Sequence, residues 1–573
     1  MPVRNAEVAE IFDRMAVLLA IQGANPFRVR AYQNAARTLR GLPRSVADML
    51  AEEEDLSKLS GVGKDLAGKI AEIADTGRLT ILEDLEREIP PGLVDITALP
   101  GLGPKRVRAL YDELGVRDLA DLQRAATKQR IRALSGFGVK TEQRILEALR
   151  RHAGMERRHK LSDVEDIADS YVAHLKAIPG VKEVIVAGSY RRRKETVGDL
   201  DILVACKKGS PVMTRFVEYD EVRDVISQGT TRSTVLLRSG LQVDLRVVAQ
   251  VSYGAALYYF TGSKAHNIAV RTIAVKKKLK INEYGVFKGR RRVAGRTENE
   301  VFKAVGLRYI EPELRENRGE IEAAKKNRLP RLVSMSDLRG DLHAHTNATD
   351  GHHSLREMAE AAKRLGYAYL AITDHSKRVA IVHGMDEKRL RRQLDAIDRL
   401  NARLDGIRVL KGVEVDILED GTLDMNDSVL KQLDLTVCAV HSGFRLSRDK
   451  QTERVIRAMD NPYFNILAHP TGRLINQRAA YEIDMERVME AALERGCYLE
   501  LNAQPERLDL NDVHCRMAKD LGLKLAISTD AHTMSNLEHM RFGVDQGRRG
   551  WLEPENVLNT RPWRELETLL ARP

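Results

Sequence analysis

The sequence predicts several folded units in one chain: a helical N-terminal region, a mixed α/β middle and a C-terminal β/α barrel. Three observations carry that prediction. At 573 residues the chain is too long for one hydrophobic core, because domains run about 100–200 residues. Charge shifts along it: residues 1–330 hold 58 Lys+Arg against 44 Asp+Glu, a balance of +14, and residues 331–573 hold 35 against 38, a balance of −3. The 15 histidines lean the other way, with four before residue 331 (His152, His159, His174, His266) and eleven after it. A basic first part implies a polyanionic partner, and a histidine-rich second part implies metal.

Composition excludes collagen-like, low-complexity and largely disordered chains, since 43% of residues are hydrophobic and 31% charged. No apolar run approaches the roughly 20 residues that span a bilayer, and the opening MPVRNAEVAEIFDRM lacks a signal-peptide core. A cytoplasmic protein with no membrane partner is expected. Cys206, Cys438, Cys497 and Cys515 are too scattered for a disulfide scaffold and form no CxxC pair, so they read as reduced packing residues.

Residues 1 to about 150 read as helical, with Val8, Ile11, Phe12, Met15, Leu18 and Leu19 at three- and four-residue spacing. Three similar turns recur there: Leu59-Ser-Gly-Val-Gly-Lys64, Leu99-Pro-Gly-Leu-Gly-Pro-Lys105 and Leu134-Ser-Gly-Phe-Gly-Val-Lys140. Two glycines allow a tight turn with φ > 0, and the helix that follows offers free N–H groups to an anion. Gly61, Gly63, Lys64, Gly101, Gly103, Lys105, Gly136, Gly138 and Lys140 are therefore candidate contacts to a phosphodiester backbone.

From about 160 to 320 short strands appear: Val184-Ile-Val-Ala187, Leu200-Asp-Ile-Leu-Val-Ala205, Ser233-Thr-Val-Leu-Leu237 and Leu241-Gln-Val-Asp-Leu-Arg-Val-Val248. The charged stretch 315–335, ending near Pro330, is the expected linker. Beyond it, apolar strands repeatedly end in polar residues, at His375, Glu414, His441, His469, Asn502 and His532, with helical segments between them. A β/α barrel puts its active site at such strand ends.

Two constellations carry chemistry. In Gly198-Asp-Leu-Asp201 the period-two alternation points Asp199 and Asp201 to one face, where adjacent carboxylates repel unless cations lie between them. Asp244, on another alternating strand, could complete a two-metal site, and Gly188, Ser189 and Arg192 could contact phosphates. A DxD alone also occurs as an ordinary solvated strand edge. The second constellation is His343-Ala-His345, which shares a strand face, joined by Asp350, His375, Glu414, His441, His469, Asp530 and His532 at strand ends. Nine such ligands suffice for about three metals, with imidazole favouring Zn²⁺, Mn²⁺ or Fe²⁺ over Mg²⁺. His352, His353, His383, His514 and His539 have no assigned place and read as surface or supporting residues.

The first set resembles the family X DNA polymerases. Gly188-Ser189, Gly198-Asp-Leu-Asp201 and Asp244 are similar to that family's palm signature, and Tyr259-Phe-Thr-Gly-Ser263 with Asn267 and Arg271 to its nucleotide-binding motif; Ile281-Asn-Glu-Tyr284 also matches. By this resemblance Asp199 and Asp201 hold two Mg²⁺ or Mn²⁺ ions, and Asp244 holds the catalytic one and accepts the primer 3′-OH proton. Ser189 and Arg192 bind the triphosphate, Asn267 the base edge, and Tyr259 and Phe260 crowd a ribose 2′-OH; Gly262 and Arg271 complete the pocket. Animal members carry Asp where this chain has Lys264, a cation expected to strengthen nucleotide binding. The glycine turns resemble helix-hairpin-helix elements. Ala31-Tyr-Gln-Asn-Ala-Ala36 and Gly61-Val-Gly-Lys-Asp-Leu-Ala-Gly-Lys69 resemble the family's small lyase domain, with Lys69 at the Schiff-base position.

The second set resembles the PHP (polymerase and histidinol phosphatase) domain. That resemblance implies one metal on His343, His345, Glu414 and Asp530, a second on Glu414, His441 and His469, and a third on Asp350, His375 and His532. The expected division is a lyase-like helical domain at 1–88, a helix-hairpin-helix subdomain at 89–152, an α/β nucleotidyltransferase palm at 153–252, a nucleotide-binding thumb at 253–315, a linker at 316–336, and a distorted β/α barrel of PHP type at 337–573. The implied function is template-directed gap filling on gapped or primer-template DNA with deoxynucleoside triphosphates, by a monomer that also carries a 3′-5′ exonuclease and incises abasic sites. Two rivals are a polymerase whose PHP domain is a small-molecule phosphoesterase, and a DNA-end-binding scaffold with vestigial sites.

Overall fold

Short amphipathic helices fill the first part of the chain because apolar residues recur there at helical spacing. The computed structural model describes residues 5–571 apart from 43, 98, 100, 153–157, 208 and 380–381, and divides into units 1–157 and 158–573. In the first unit, helix Asn5–Gln22 buries Val8, Phe12, Met15, Leu18 and Leu19. Helix Pro26–Arg40 opens with Pro in its first turn and an Asn25 side chain that accepts the Phe27 N–H at 2.9 Å. Phe12 meets Tyr32 edge-on, with ring centroids 5.3 Å apart. One apolar cluster runs from Val8 to Leu149, so residues 1–88 and 89–152 share a core.

The three glycine turns share a conformation. Gly61, Gly101 and Gly136 have φ of 78°, 85° and 80°, where a side chain would be strained. Gly63 and Gly103 precede helices Lys64–Thr76 and Pro104–Leu114 with no side-chain cap, so these helix ends remain open to an outside acceptor.

The second unit begins with a five-stranded sheet in the order Val181–Val186, Asp199–Cys206, Gln242–Val248, Arg232–Leu237, Val222–Gln228. Asp199–Cys206 runs parallel to Gln242–Val248, in a register that sets Asp201 beside Asp244; the other pairs are antiparallel. Helices Tyr253–Thr261 and Lys264–Lys276, a three-stranded meander over residues 280–294 and helix Glu298–Ala304 follow.

Residues 316–336, expected as a linker, include packed structure. Helix Glu320–Lys325 buries Ile321 and Ala324 in the core of Tyr258, Phe302 and Leu332, and its Glu320 carboxylate meets His266 Nδ1 at 2.7 Å. Charge reads as solvated in sequence, yet Arg315 at the head of this segment is fully buried and donates to Glu298 at 2.6 Å.

Parallel strands then form the barrel. Gly340–Asp341, Tyr369–Ile372 and Arg408–Lys411 make one ladder; Glu414–Asp416, Val437–Ala439, Ile466–Leu467, Tyr498–Asn502 and Leu525–Ser528 make another. Between the two ladders the pairing is reduced to single bridges, His375 to Glu414 and Ala344 to Ala531. Alternation separates two cores: Leu370 and Ile372 pack among the surrounding helices, while Tyr369 and Ala371 join a cluster closed by helix Trp563–Leu570.

Sheet and barrel are joined within this unit. Ile475, Leu508 and Phe542 of the barrel enter the sheet's apolar core. Ion pairs link Arg473 to Glu195 at 2.7 Å and Arg193 to Asp545 at 3.3 Å, and Arg541 donates to Glu165. Among the described residues no helix is long and apolar enough to cross a membrane.

Candidate functional site

The sheet register gathers the first set of carboxylates. Oxygens of Asp199, Asp201 and Asp244 lie within 4.8 Å of one another. Burial, then the charges of Asp199 and Asp244, push the Asp201 carboxyl up to about 7 against the opposing Arg192 and Arg246. Burial and Asp244 likewise raise Asp199, with Arg158 opposing. Asp244 is oriented by Thr234 Oγ1 at 2.6 Å and Gln242 Nε2 at 2.8 Å. Three converging carboxylates, two of them raised by burial and neighbouring negative charge, fit a divalent metal site. Gly188 makes the packing possible: its φ is 60°, and a Cβ there would lie 2.3 Å from Asp201 Oδ2.

The predicted nucleotide residues converge partly. Gly188 and Ser189 start the turn of helix Gly188–Arg191. Arg192 donates from Nη1 to the Thr261 carbonyl, and a Cβ on Gly262 would meet that nitrogen at 3.2 Å, so the predicted phosphate turn touches the predicted nucleotide-binding motif. Tyr259 and Phe260 pack edge-on at 5.2 Å, and Arg246 covers the Phe260 ring at 5.2 Å. Asn267 donates to the Tyr259 carbonyl at 2.8 Å, leaving its Oδ1 buried without a partner. Lys264 and Arg271 are exposed on helix Lys264–Lys276.

In the N-terminal unit the six turn glycines, Lys64 and Lys105 are exposed; the Lys140 side chain lies outside the described residues. Arg106, which the sequence reading passed over, donates to the carbonyls of Gly101 at 2.9 Å and Gly136 at 3.4 Å and ties two turns together. Lys69 lies 2.5 Å from Asp65 Oδ2, with its amine 5.4 Å from the Tyr32 ring centroid. Burial lowers its pKa, but Asp65 and Tyr32 outweigh burial and hold the amine above the usual lysine value. A Schiff-base nucleophile needs the opposite shift.

All nine predicted barrel ligands come together. His343 Nε2 and His345 Nε2 lie 3.1 Å apart, and His345 Nε2 lies 3.2 Å from Asp530 Oδ1. Glu414 is central: Oε1 is 3.3 Å from His441 Nε2 and 3.1 Å from His469 Nε2, and Oε2 is 2.7 Å from His375 Nδ1. Asp350 Oδ2 lies 3.3 Å from His375 Nε2 and 3.2 Å from His532 Nε2. Metal-competent groupings form at His345, Asp350, His375 and His532; at His343, His345 and Asp530; and at His375, Glu414 and His441. His345 and His375 thus each join two groupings, whereas the expected division shared only Glu414 between metals.

Electrostatics are those of a site that needs cations. Burial, then His532 and His375, lower His345 to about 4, and its Nδ1 is buried without a hydrogen-bond partner. Burial opposes charge on His375, but Glu414 and Asp350 outweigh it and raise the imidazole to about 10. Two of the candidate ligands, His469 and Asp530, adopt left-handed φ of 27° and 52°, a strained backbone for an L-residue.

Sequence reading missed the residues that aim these ligands. Glu500 is fully buried and meets His343 Nδ1 at 2.7 Å while accepting the His469 N–H at 2.7 Å. Asp416 Oδ1 lies 3.2 Å from His441 Nδ1. Asp374 accepts from Thr346, Thr349 and Gln393 behind His375. The signal was present: Glu414-Val-Asp416 and Glu500-Leu-Asn502 repeat the same-face i, i+2 pattern of His343 and His345. Of the unassigned histidines, His539 Nδ1 meets Gln504 at 3.1 Å and His353 Nδ1 accepts the Met534 N–H at 3.4 Å; none joins a metal grouping.

Comparison with known proteins places these sites in context. Family models match in chain order: helix-hairpin-helix domain at 3–79, SAM-like helix-hairpin-helix tandem at 93–151, DNA polymerase beta palm at 158–246, DNA polymerase beta thumb at 256–316 and PHP domain at 341–504. The chain is 39% identical over 570 residues to the DNA polymerase/3′-5′ exonuclease PolX of Bacillus subtilis (strain 168), covering 99% of each. It is 26% identical over 338 residues to DNA polymerase lambda of Rattus norvegicus, 54% of this chain and 56% of that one. It is 29% identical over 232 residues to a protein of Thermoanaerobacter sp. (strain X514) named as a probable phosphatase, 38% of this chain and 89% of that one.

Proposed function

The chain belongs to the PolX family of DNA polymerases that carry a PHP domain, and from that premise we propose that it fills short gaps in DNA at the sheet carboxylates and trims 3′ ends at the barrel histidines. The observation that carries the reading is the register that sets Asp201 beside Asp244, with Asp199 within the same 4.8 Å grouping, next to the Arg192–Gly262 contact.

Asp199, Asp201 and Asp244 are the residues to hold Mg²⁺ or Mn²⁺, which when bound would acidify the primer 3′-OH and neutralise charge on the triphosphate. Asp244, aimed by Thr234 and Gln242, accepts the 3′-OH proton. Ser189 and Arg192 grip the triphosphate, and exposed Lys264 adds a cation to it. The unpartnered Oδ1 of Asn267 accepts from the incoming nucleotide, while Tyr259 and Phe260 exclude a ribose 2′-OH. The exposed glycine turns hold the DNA backbone without reading sequence, and the enzyme works as a monomer.

In the barrel, His343, His345, Asp350, His375, Glu414, His441, His469, Asp530 and His532 are the residues to hold about three Zn²⁺, Mn²⁺ or Fe²⁺ ions, which would activate water and draw charge from phosphorus. Glu500 and Asp416 orient the imidazoles. Arg507, its Nε 3.7 Å from Asp530 Oδ2, supplies a cation for the phosphodiester. The same hydrolysis extends to abasic sites. Similarity to a protein named as a probable phosphatase favours a second reading of the barrel alone, as a small-molecule phosphoesterase. Primer extension on gapped DNA by the native protein, absent in Asp199→Ala, tests the polymerase assignment. Release of nucleotides from a labelled 3′ end, rather than hydrolysis of a small phosphoester only, separates the two readings of the barrel.

A further inference from the structure

Arg549 closes the barrel helix Met540–Arg549, outside the metal cluster, and its side chain is only 3% exposed. Nη1 donates to the backbone carbonyl of Arg192 at 2.7 Å and to Glu316 Oε1 at 3.2 Å, and Nη2 donates to Asp512 Oδ2 at 2.6 Å. Glu316 Oε1 also accepts from Arg192 Nε at 3.1 Å. One barrel residue therefore holds Arg192 twice, directly through its main chain and indirectly through the carboxylate that fixes its guanidinium.

The loop needs holding. Arg193, the next residue, has φ of 54°, a left-handed conformation that an L-residue adopts only under constraint from its surroundings. Its side chain is fixed by Glu165 at 2.9 Å and by Asp545 of the barrel at 3.3 Å. A charge as buried as Arg549 is costly unless its geometry is well matched, and three acceptors match it here.

We propose that Arg549 is a positioning residue for nucleotide binding: the barrel domain completes a polymerase site that it does not itself touch, by clamping the Arg192 loop. This rests on the assignment of Arg192 to the triphosphate. Rigid placement of a phosphate-binding cation governs ground-state affinity for nucleotide, so the effect falls on KM rather than on kcat.

The test compares wild type, R549Q, R549K, R192A and R192A/R549Q on a one-nucleotide gap, with 3′-5′ exonuclease rate as the control. R549Q should raise the dNTP KM about tenfold with kcat within about threefold, while exonuclease stays within about twofold. R549K, which keeps the charge but cannot serve three acceptors in a planar fork, should fall between R549Q and wild type, and carries the test if R549Q does not fold. The double variant should be no worse than R192A, because Arg549 acts through Arg192. Additive KM losses in the double variant, or equal loss of both activities in R549Q and R549K, would overturn the proposal. If R192A itself leaves KM unchanged, the nucleotide assignment of Arg192 is wrong; if R192A raises KM and neither Arg549 variant does, the clamp alone is wrong.

Discussion

Glu500 and His343, both fully buried, meet at 2.7 Å between Oε1 and Nδ1, and this contact leaves His343 Nε2 facing His345 Nε2 at 3.1 Å. A carboxylate on the far nitrogen fixes the ring and raises its basicity as a ligand, and losing such a partner costs about 10–100-fold in metal affinity or activity. Glu500→Gln should therefore shift the metal titration of 3′-5′ exonuclease by that factor and leave gap filling intact. Unchanged metal dependence would remove Glu500 from the account.

Gly188 separates the carboxylates from the phosphate loop with no room for a side chain. Gly188→Ala puts a methyl 2.3 Å from Asp201 Oδ2 at a φ of 60°, so Asp201 or the turn has to move. A shift of about 1 Å at a reacting centre costs about 10²-fold, and nucleotide incorporation should fall by that order while exonuclease persists. Steady-state incorporation on gapped DNA measures it.

Glu298 shows how the buried charges respond to pH. Burial raises its carboxyl, but Arg315 and Arg191 outweigh burial and hold it at about 2, below an unfolded value near 4.5. A depressed carboxyl stabilises the fold fully above the unfolded pKa and loses that contribution as pH falls from 4.5 toward 2. Glu298→Gln leaves fully buried Arg315 short of a counter-charge and should destabilise by about 3–5 kcal/mol at pH 7. Thermal melting of the two proteins should show a gap that narrows as pH drops through that window; a constant gap contradicts the assignment.

Asp65 and Tyr32 stabilise the protonated Lys69 amine, which argues for a weak lyase at neutral pH. Borohydride trapping of 5′-deoxyribose phosphate DNA should increase with pH, and Asp65→Asn should enhance it, since it removes one of the two groups that oppose burial at Lys69. No trapping in Asp65→Asn at alkaline pH would take Lys69 out of the chemistry.

Two pairs of the candidate ligands were legible in sequence because i, i+2 spacing is local: Asp199 and Asp201 sit on one strand, and His343 and His345 flank the single bridge at Ala344. What lay outside sequence was long-range. The Glu500–His343 contact joins residues 157 positions apart. Residues 316–336 read as linker because their charges look solvated, yet Glu320 and neighbouring Arg315 are fully buried against His266 and Glu298. The docking of Arg549 and Asp545 onto the Arg192 loop depends on how barrel and sheet pack, which no local pattern encodes.

The central claim is that one chain holds two chemically independent sites, and one gapped-DNA assay on three proteins tests it. Wild type should both extend and degrade the primer, Asp199→Ala/Asp201→Ala should only degrade it, and His345→Ala should only extend it. Loss of both activities in either folded variant would contradict two separate sites.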